Sequence, residues 1–226
     1  LYTPEPSCPL STQHLIKNLT HSTPLQQKDN DTLLAPLTNN ILDTMLTFTP
    51  KRRSPGNDGL PFELYPHLLA HTDIRALFLD VVNEALVRGI FPPSWSETIM
   101  ILLYKKGDAS DLANWRPLSL INSDAKLFTK LLTNRLRPLL PQLIHPGQTG
   151  FMKGRFIADN GLVLSTVMDH CKAEEGEQVG IMLDFEKAYD RVNPDYLAAV
   201  LRHMGFSPPF IRIINAFFFQ TRIHLN

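Results

Sequence analysis

Apolar residues recur at three- and four-residue steps along most of this chain, the spacing that is typical of amphipathic helices. The clearest case is 72–89, where Thr72 can cap the start and Gly89 can end the helix. The same spacing predicts further helices from Asp31 to about Met45, from about Pro61, from about Asp124 to Arg137, over 157–172, and from Pro194 to Met204. The apolar run 208–219 is predicted to be helical or simply buried.

Short apolar runs predict three strands. The runs 98–104 and 118–121 flank a basic turn, which favours a hairpin, and 179–185 predicts a strand that ends at an acidic residue. Because helices outnumber strands and paired strands flank a loop, the predicted class is α+β and not a βαβ parallel sheet. Residues 1–29, rich in Pro, Ser, Thr and Gln, are predicted to be a flexible lead-in with no fold of its own.

Composition narrows the class of protein only moderately. The 226 residues are 43% hydrophobic and 19% charged, as in an ordinary globular protein, and the 22 basic and 22 acidic residues balance. The segment 101–160 nevertheless has nine Lys/Arg against four acids, a local excess that could bind phosphate or could be solvated helix faces. Cys8 and Cys171 have no metal or redox spacing, and no stretch predicts a signal peptide or a membrane span.

The main candidate for chemistry is Asp184, in the run Leu-Asp-Phe-Glu-Lys-Ala-Tyr-Asp. It ends an apolar run, and Tyr189 follows five residues later. Mg²⁺ prefers oxygen ligands and usually takes one or two protein carboxylates. Asp190 cannot share an ion with Asp184, because six residues span roughly 20 Å on a strand and point to different faces on a helix. Taken alone, the pattern would also suit a polar strand-turn-helix junction.

A second motif, Asn-Trp-Arg-Pro-Leu-Ser-Leu, places Arg116 near the tip of the predicted hairpin. A guanidinium there can bind triphosphate oxygens through paired donors. Lys105 and Lys106 end the preceding strand and add positive charge. The alternative for Arg116 is a surface salt bridge with Asp108 or Asp111.

Two further motifs are rich in glycine. The run 148–155, Gln-Thr-Gly-Phe-Met-Lys-Gly-Arg, combines close backbone approach with basic residues that can contact phosphate, or it is a plain structural turn. The run 54–59, Ser-Pro-Gly-Asn-Asp-Gly, follows three basic residues and by itself indicates only a turn.

Together and in this order, the four motifs resemble the reverse transcriptases of non-LTR (LINE-type) retrotransposons, from about residue 50 to the C-terminus. The resemblance implies a right-hand polymerase fold and two-metal nucleotidyl transfer, with dNTPs added to a DNA primer on an RNA template, Mg²⁺ (or Mn²⁺) as cofactor, and a nuclear location. It implies metal binding by Asp184 and the Phe185 backbone carbonyl, dNTP binding by Arg116, Lys105, Lys106, Lys187, Ala188 and Tyr189 (a steric gate against a 2′-hydroxyl), and template contacts by Gln148, Gly150, Lys153 and Arg155. Asn57 departs from the family pattern, where Pro is usual.

The resemblance also divides the chain. It predicts a lead-in (1–29), an N-terminal helical extension with the Pro-Gly-Asn-Asp-Gly motif (30–94), fingers (95–178), and an incomplete palm (179–226). We expect the chain to stop before a second, Tyr-x-Asp-Asp motif and to lack polymerase activity by itself, because one carboxylate cannot organise two Mg²⁺ ions. The alternatives are an inactive remnant that binds nucleic acid weakly and a helical interaction module. A Mg²⁺ nuclease is disfavoured because the acids are not clustered.

Overall fold

The structure is a computed structural model that describes residues 8–19, 23–49, 51–174, 179–185, 188–189 and 191–225. In chain order its helices are α1 Pro9–Lys17, α2 Gln27–Leu33, α3 Asn39–Thr47, α4 Tyr65–Leu68, α5 Thr72–Arg88, α6 Ser123–Leu136, α7 Leu140–Leu143, α8 Ala158–Ala173, α9 Pro194–His203 and α10 Pro208–Phe219. Its strands are β1 Glu97–Tyr104, β2 Trp115–Ile121 and β3 Arg222–Leu225. Short 3₁₀ turns cover Phe62–Leu64, Pro93–Trp95 and Leu112–Asn114.

The chain forms two compact units. The first, which we name the hairpin unit, contains the described residues of Gln26–Leu136 and Phe206–Asn226. The second, which we name the Asp184 unit, contains those of Leu1–Leu25 and Arg137–Gly205. The described structure is helix-rich with one small sheet, as the predicted α+β class requires.

The sheet belongs to the hairpin unit and has the strand order β2-β1-β3. β1 and β2 form the predicted antiparallel hairpin, with Thr98 opposite Ile121 and Tyr104 opposite Trp115. β3 lies parallel to β1 on its other edge, so the sheet is mixed. Burial decreases along β1 towards its end, and the hairpin therefore leaves the body of the unit and enters solvent.

The core of the hairpin unit is built around aromatic rings. The Trp95 and Phe128 centroids lie 5.0 Å apart, and Phe91 contacts Phe128 edge-on at 5.4 Å. Phe217 of α10 completes the cluster, 5.3 Å from Phe91. The other fully buried large apolar side chains of this unit are Leu33, Leu42, Leu69, Val82, Leu86, Leu127, Leu131, Phe210 and Ile213.

Helix periodicity predicted most helices well, with small shifts at their ends. α5 ends at Gly89, whose φ of +67° is the left-handed conformation expected of a C-terminal glycine. Its N-cap is His71 and not the predicted Thr72. The helix predicted from Asp31 to Met45 is instead two helices, α2 and α3, because Pro36 in the intervening segment cannot donate a helical hydrogen bond.

Two other predictions were wrong. The segment 179–185 is not a strand: its backbone joins no sheet among the described residues, and its apolar side chains are exposed. A strand is stabilised by pairing with a neighbour, and no described segment pairs with this one. The supposedly unstructured lead-in contains α1, which starts with a proline at the favoured first position and packs against α9.

No helix in the described ranges combines the length and apolar character needed to span a bilayer.

Candidate active site

The tip of the hairpin has a defined hydrogen-bond register. The Lys105 N–H donates to the Asn114 carbonyl oxygen at 2.8 Å, which continues the β1–β2 ladder by one pair. Because hydrogen-bonded and non-bonded pairs alternate in an antiparallel ladder, the next pair, Tyr104 and Trp115, is non-bonded and its side chains approach closely. The two rings meet edge-to-face with centroids 5.5 Å apart. This contact holds the two strands together where the turn begins.

The turn that connects the strands is bonded to itself. Trp115 donates its indole N–H to the Ala109 carbonyl at 2.9 Å, and the Asn114 amide donates to the Asp108 carbonyl at 3.0 Å. Gly107 has a φ of +96°, and a Cβ there would lie 2.8 Å from the Asn114 side chain. The turn is therefore compact, and its conformation depends on glycine at this position.

The two acids of the turn serve as backbone caps. The Asp108 carboxylate accepts from the N–H and the hydroxyl of Ser110 at 2.9 and 2.8 Å, and these bonds lower the pKa of Asp108. The Asp111 carboxylate accepts from the Ala113 N–H at 2.9 Å. Neither forms an ion pair with Arg116 among the described residues, so the alternative interpretation of Arg116 as half of such a pair is not what the structure contains.

Three cations are therefore exposed on the hairpin: Lys105, Lys106 and Arg116. Arg116 is opposite Leu103, and Lys105 follows two residues after Leu103. Since strand side chains alternate between faces, Lys105 and Arg116 lie on one face of the hairpin and the Tyr104–Trp115 ring pair on the other. Such a face, without a carboxylate partner in the described ranges, suits a phosphate-bearing ligand.

The base of the hairpin is fixed by Asn122, a residue that the sequence did not single out. Asn122 is 2% exposed, and its amide donates to the Ser94 carbonyl at 3.0 Å while its side-chain oxygen accepts from the Asp58 N–H at 3.3 Å. Gly56 lies so close that a Cβ would be 2.2 Å from that oxygen. The 54–59 motif is thus held against the junction of β2 and α6. Its glycines permit such a close approach, but they do not indicate where in the chain the partner lies.

Polar contacts from α6 complete this attachment. The Lys126 ammonium donates to the Ser54 carbonyl at 2.7 Å, and the Ser123 hydroxyl donates to the Leu60 carbonyl at 2.8 Å. The Asn57 amide donates to the Glu97 carboxylate at 3.2 Å, which ties the motif to the first residue of β1. Asn57, the departure from the family pattern, therefore has a structural partner.

A half-buried carboxyl, Asp124, lies at the start of α6 beside an apolar cavity of about 240 Å³. Tyr65 and Trp95 line the same cavity. Burial raises the pKa of Asp124, and the negative charge of Asp58 raises it further. Burial also raises the pKa of the Tyr65 hydroxyl. Asp124 is therefore a carboxyl whose ionised form the fold disfavours.

In the Asp184 unit, the 148–155 motif forms a loop that Arg155 holds. Its guanidinium donates to the carbonyls of Gln148 at 2.6 Å, His145 at 2.7 Å and Ile144 at 3.2 Å. The Gln148 side chain donates to the Gly150 carbonyl at 3.2 Å. Lys153 is exposed. Of the residues that the sequence proposed here, Lys153 is thus available to a ligand, while Arg155 and Gln148 bond within the loop.

The Asp184 segment itself is open. Asp184, Phe185, Ala188 and Tyr189 are all exposed. The Val192 N–H donates to the Tyr189 carbonyl at 3.4 Å. Lys187 lies outside the described residues. The structure places Asp184, Tyr189 and the 148–155 loop in one unit and Arg116, Lys105 and Lys106 in the other.

The described residues do not fit a complete site for divalent metal. No three His, Cys, Asp or Glu side chains within the described ranges lie close enough together to hold an ion. Asp184 offers one exposed carboxylate.

The cationic hairpin with its exposed arginine, the Asp-x₄-Tyr segment and the basic glycine loop are the features by which this sequence resembles nucleotide-polymerising proteins. The chain belongs to the reverse transcriptase (RNA-dependent DNA polymerase) family, which matches residues 104–226. The predicted family is thereby confirmed.

The relatives come from mobile elements, as the resemblance to non-LTR retrotransposons predicted. A "Transposon TX1 uncharacterized 149 kDa protein" of Xenopus laevis is 32% identical over 211 residues, which are 93% of this chain and 16% of that protein. The "RNA-directed DNA polymerase from mobile element jockey" of Drosophila melanogaster is 26% identical over 100% of this chain and 24% of its own length. A "Retrovirus-related Pol polyprotein from type-1 retrotransposable element R2" of Popillia japonica is 27% identical over 69% of the chain and 20% of its own length. The chain thus spans a quarter or less of each relative.

Proposed function

We propose that this chain is the fingers and first palm segment of an RNA-directed DNA polymerase, and that the hairpin binds the triphosphate of the incoming dNTP. The observation that carries the proposal is the shared face of Lys105 and Arg116 beside the compact turn of the hairpin. The acids nearest in sequence, Asp108 and Asp111, are occupied by backbone N–H groups and leave that face positive. A guanidinium can contact two phosphate oxygens at once, which suits a triphosphate.

The division into lead-in, helical extension, fingers and partial palm is part of this proposal. Contacts of the 54–59 motif with Glu97, Asn122 and Lys126 favour a role of 30–94 as a support for the fingers hairpin. The substrates would be dNTPs, an RNA template and a DNA primer, and copying at a chromosomal target would occur in the nucleus.

The remaining roles follow from the family. Asp184 and the Phe185 carbonyl would bind Mg²⁺ or Mn²⁺, and Lys187 and Ala188 would meet the triphosphate. Tyr189 would exclude a 2′-hydroxyl. Its ring is exposed, so a nucleotide can reach it. Because the described residues include one exposed carboxylate at this segment and no ligand cluster, we propose that the chain by itself does not polymerise.

Template contacts are the last part of the proposal. Lys153 would contact template phosphate directly, since its side chain is exposed. Gln148, Gly150 and Arg155 would hold the loop that presents it, because their bonds lie within the loop.

The test is the binding of a fluorescent dNTP to the 226-residue protein, followed by anisotropy at low and moderate salt. Arg116→Ala is expected to weaken binding by about 10- to 150-fold, since a hydrogen bond to a charged group contributes roughly 1.5–3 kcal/mol. Arg116→Lys keeps the charge but loses the paired donors, and an intermediate loss is expected. Arg212→Ala is the matched control, because Arg212 is an exposed arginine of the same unit. Equal affinities for Arg116→Ala and Arg212→Ala would show that the hairpin does not bind the nucleotide.

A further inference from the structure

The side chain of Phe151 is almost entirely in solvent, although it is a large aromatic. It is 97% exposed, whereas Thr149, two residues earlier in the same loop, is 8% exposed. Leaving an aromatic ring in water forgoes a large amount of apolar burial. The loop therefore buries a small polar residue and presents the ring outward.

The backbone of Phe151 is also strained. Its φ of +62° lies in the left-handed region, which bulky residues without special support avoid. The other non-glycine residue with positive φ in the described part of the chain is Arg52, whose N–H donates to the Glu63 carboxylate. No hydrogen bond of Phe151 among the described residues explains its conformation in this way. Strain of this kind is retained where the surrounding structure imposes it, and it is concentrated at functional positions.

The neighbouring residues of the loop impose the left-handed backbone conformation of Phe151. Arg155 binds the carbonyls of Ile144, His145 and Gln148, which fixes the path of the chain on the near side of Phe151. On the far side, the Arg155 N–H donates to the Met152 carbonyl at 3.3 Å and closes a four-residue turn. Gly154 is at the third position of that turn with a φ of +80°, as a type II turn requires.

This turn puts an ammonium group two residues from the ring. Lys153 occupies the second position of the turn and is exposed. An exposed aromatic ring next to an exposed cation is the combination by which proteins bind single-stranded nucleic acid, since the ring stacks on a base while the cation contacts the backbone. The ring has no sequence preference, because every base has a stacking face.

We infer that Phe151 is a stacking platform for an unpaired base of a single-stranded RNA, with Lys153 on an adjacent phosphate. The inference rests on the proposed function. It adds an aromatic residue to the template contacts, whereas the family motif suggests only Gln148 and the basic and glycine residues. Stacking is contributed by the ring, and the left-handed backbone sets the direction in which the ring points.

The first experiment measures the affinity of the 226-residue protein for a 12-nucleotide oligouridine. Phe151→Gly is expected to reduce that affinity by about 5- to 150-fold, the range that corresponds to the loss of one stacked base. Because glycine accepts a positive φ, the midpoint of thermal unfolding is expected to stay the same or to rise. The combination of weaker binding with undiminished stability separates a lost contact from a damaged fold. Phe156→Ala is the matched control, since Phe156 is 66% exposed nearby, and its affinity is expected to equal that of the wild type.

The second experiment detects stacking directly. In Phe151→Trp the indole is expected to bind with wild-type affinity and its fluorescence to be quenched by added oligouridine. Phe156→Trp provides the comparison, and its signal is expected to stay constant.

The inference is overturned if Phe151→Gly binds the oligonucleotide as the wild type does, or if Phe151→Trp is not quenched. A wild-type affinity for Phe151→Gly together with a changed sedimentation coefficient would assign the ring to a protein contact instead. If Lys153→Ala binds the oligonucleotide weakly but Phe151→Gly does not, the stacking contact is refuted and the proposed function still holds. If the wild type shows no salt-dependent binding of the oligonucleotide, both the stacking inference and the proposed function are contradicted.

Discussion

The replacement of Gly56 by alanine tests how the 54–59 motif supports the hairpin. A Cβ at Gly56 would lie 2.2 Å from the Asn122 side-chain oxygen, 2.4 Å from the Asn122 nitrogen and 2.6 Å from the Ile121 carbonyl carbon. Two of these three atoms belong to the backbone and cannot turn aside as a side chain would. The methyl group must therefore push the motif away from the junction of β2 and α6.

The cost can be worked out from the contacts that move. Insertion of a methyl group into a packed site costs about 1–3 kcal/mol. The displacement also breaks the bond of Asp58 with Asn122 and the bond of Asn57 with Glu97, each contributing about 0.5–1.5 kcal/mol. The total is about 2–6 kcal/mol, equivalent to a fall of roughly 5–20 °C in the unfolding midpoint for a protein of this size.

The assay is thermal and urea unfolding followed by circular dichroism at 222 nm. Gly161→Ala is the control, because a Cβ at this position within α8 would have nothing within 4 Å, and a helical Gly→Ala change is expected to stabilise by about 0.5–1 kcal/mol. The double variant Gly56→Ala/Asn122→Ala removes the 2.2 Å contact but leaves both backbone contacts, so it is expected to remain less stable than Asn122→Ala. A midpoint for Gly56→Ala within about 2 °C of the wild type would refute the close approach.

Three further predictions concern other parts of the chain. Asp124→Asn tests the raised pKa of Asp124. Because the folded state binds the proton of this carboxyl more tightly than the unfolded state does, the free energy of unfolding of the wild type falls as the pH rises from about 3.8 through the folded-state pKa. The extra stability of the variant in urea unfolding is therefore expected to grow over that pH range and to vanish below it. An advantage that does not change with pH would contradict this. Gly107→Ala places a side chain at a positive φ and against Asn114, so it is expected to lower the free energy of opening the hairpin tip by about 1–3 kcal/mol. The measurement is the hydrogen exchange of the Lys105 amide, which should become faster, and unchanged exchange would exclude the clash. Arg155→Lys replaces three donated hydrogen bonds by one or two, so the free energy of opening the 144–155 loop is expected to fall by about 1–3 kcal/mol. Hydrogen exchange of the amides across 144–155 should become faster, and equal protection would show that the guanidinium does not hold the loop.

The sequence predicted helices better than it predicted their packing. The stripe of α5 and the Asn193-Pro194 start of α9 depend on neighbours within four residues, which the sequence displays directly. The Asn193 side chain accepts from the N–H groups of Asp195 and Tyr196 at 2.9 and 3.0 Å, as an N-cap residue should. These features are local, so a pattern is enough to find them.

The hairpin was predicted for a similar reason. Two apolar runs on either side of a basic turn are adjacent in sequence, and a hairpin pairs adjacent segments. The support of that hairpin was not predicted, since Asn122 meets Asp58 across 64 residues. Nothing in the composition near Asn122 indicates such a partner. The bonding of Asp108 and Asp111 to the turn backbone likewise depended on a turn conformation that charge alone does not show.

The failed strand at 179–185 follows from the same distinction between local and non-local structure. An apolar run such as Ile181, Met182 and Leu183 has the composition of a buried strand, but its side chains are 79–92% exposed here. Composition predicts what a segment would gain by burial, about 25 cal/mol per Å² of apolar surface, and not whether another strand is present to provide it. The helix that follows, α9, forms regardless because its hydrogen bonds lie within its own ten residues. Asp184 therefore has a specific sequence motif, but the burial of its segment depends on a partner that the described residues do not provide.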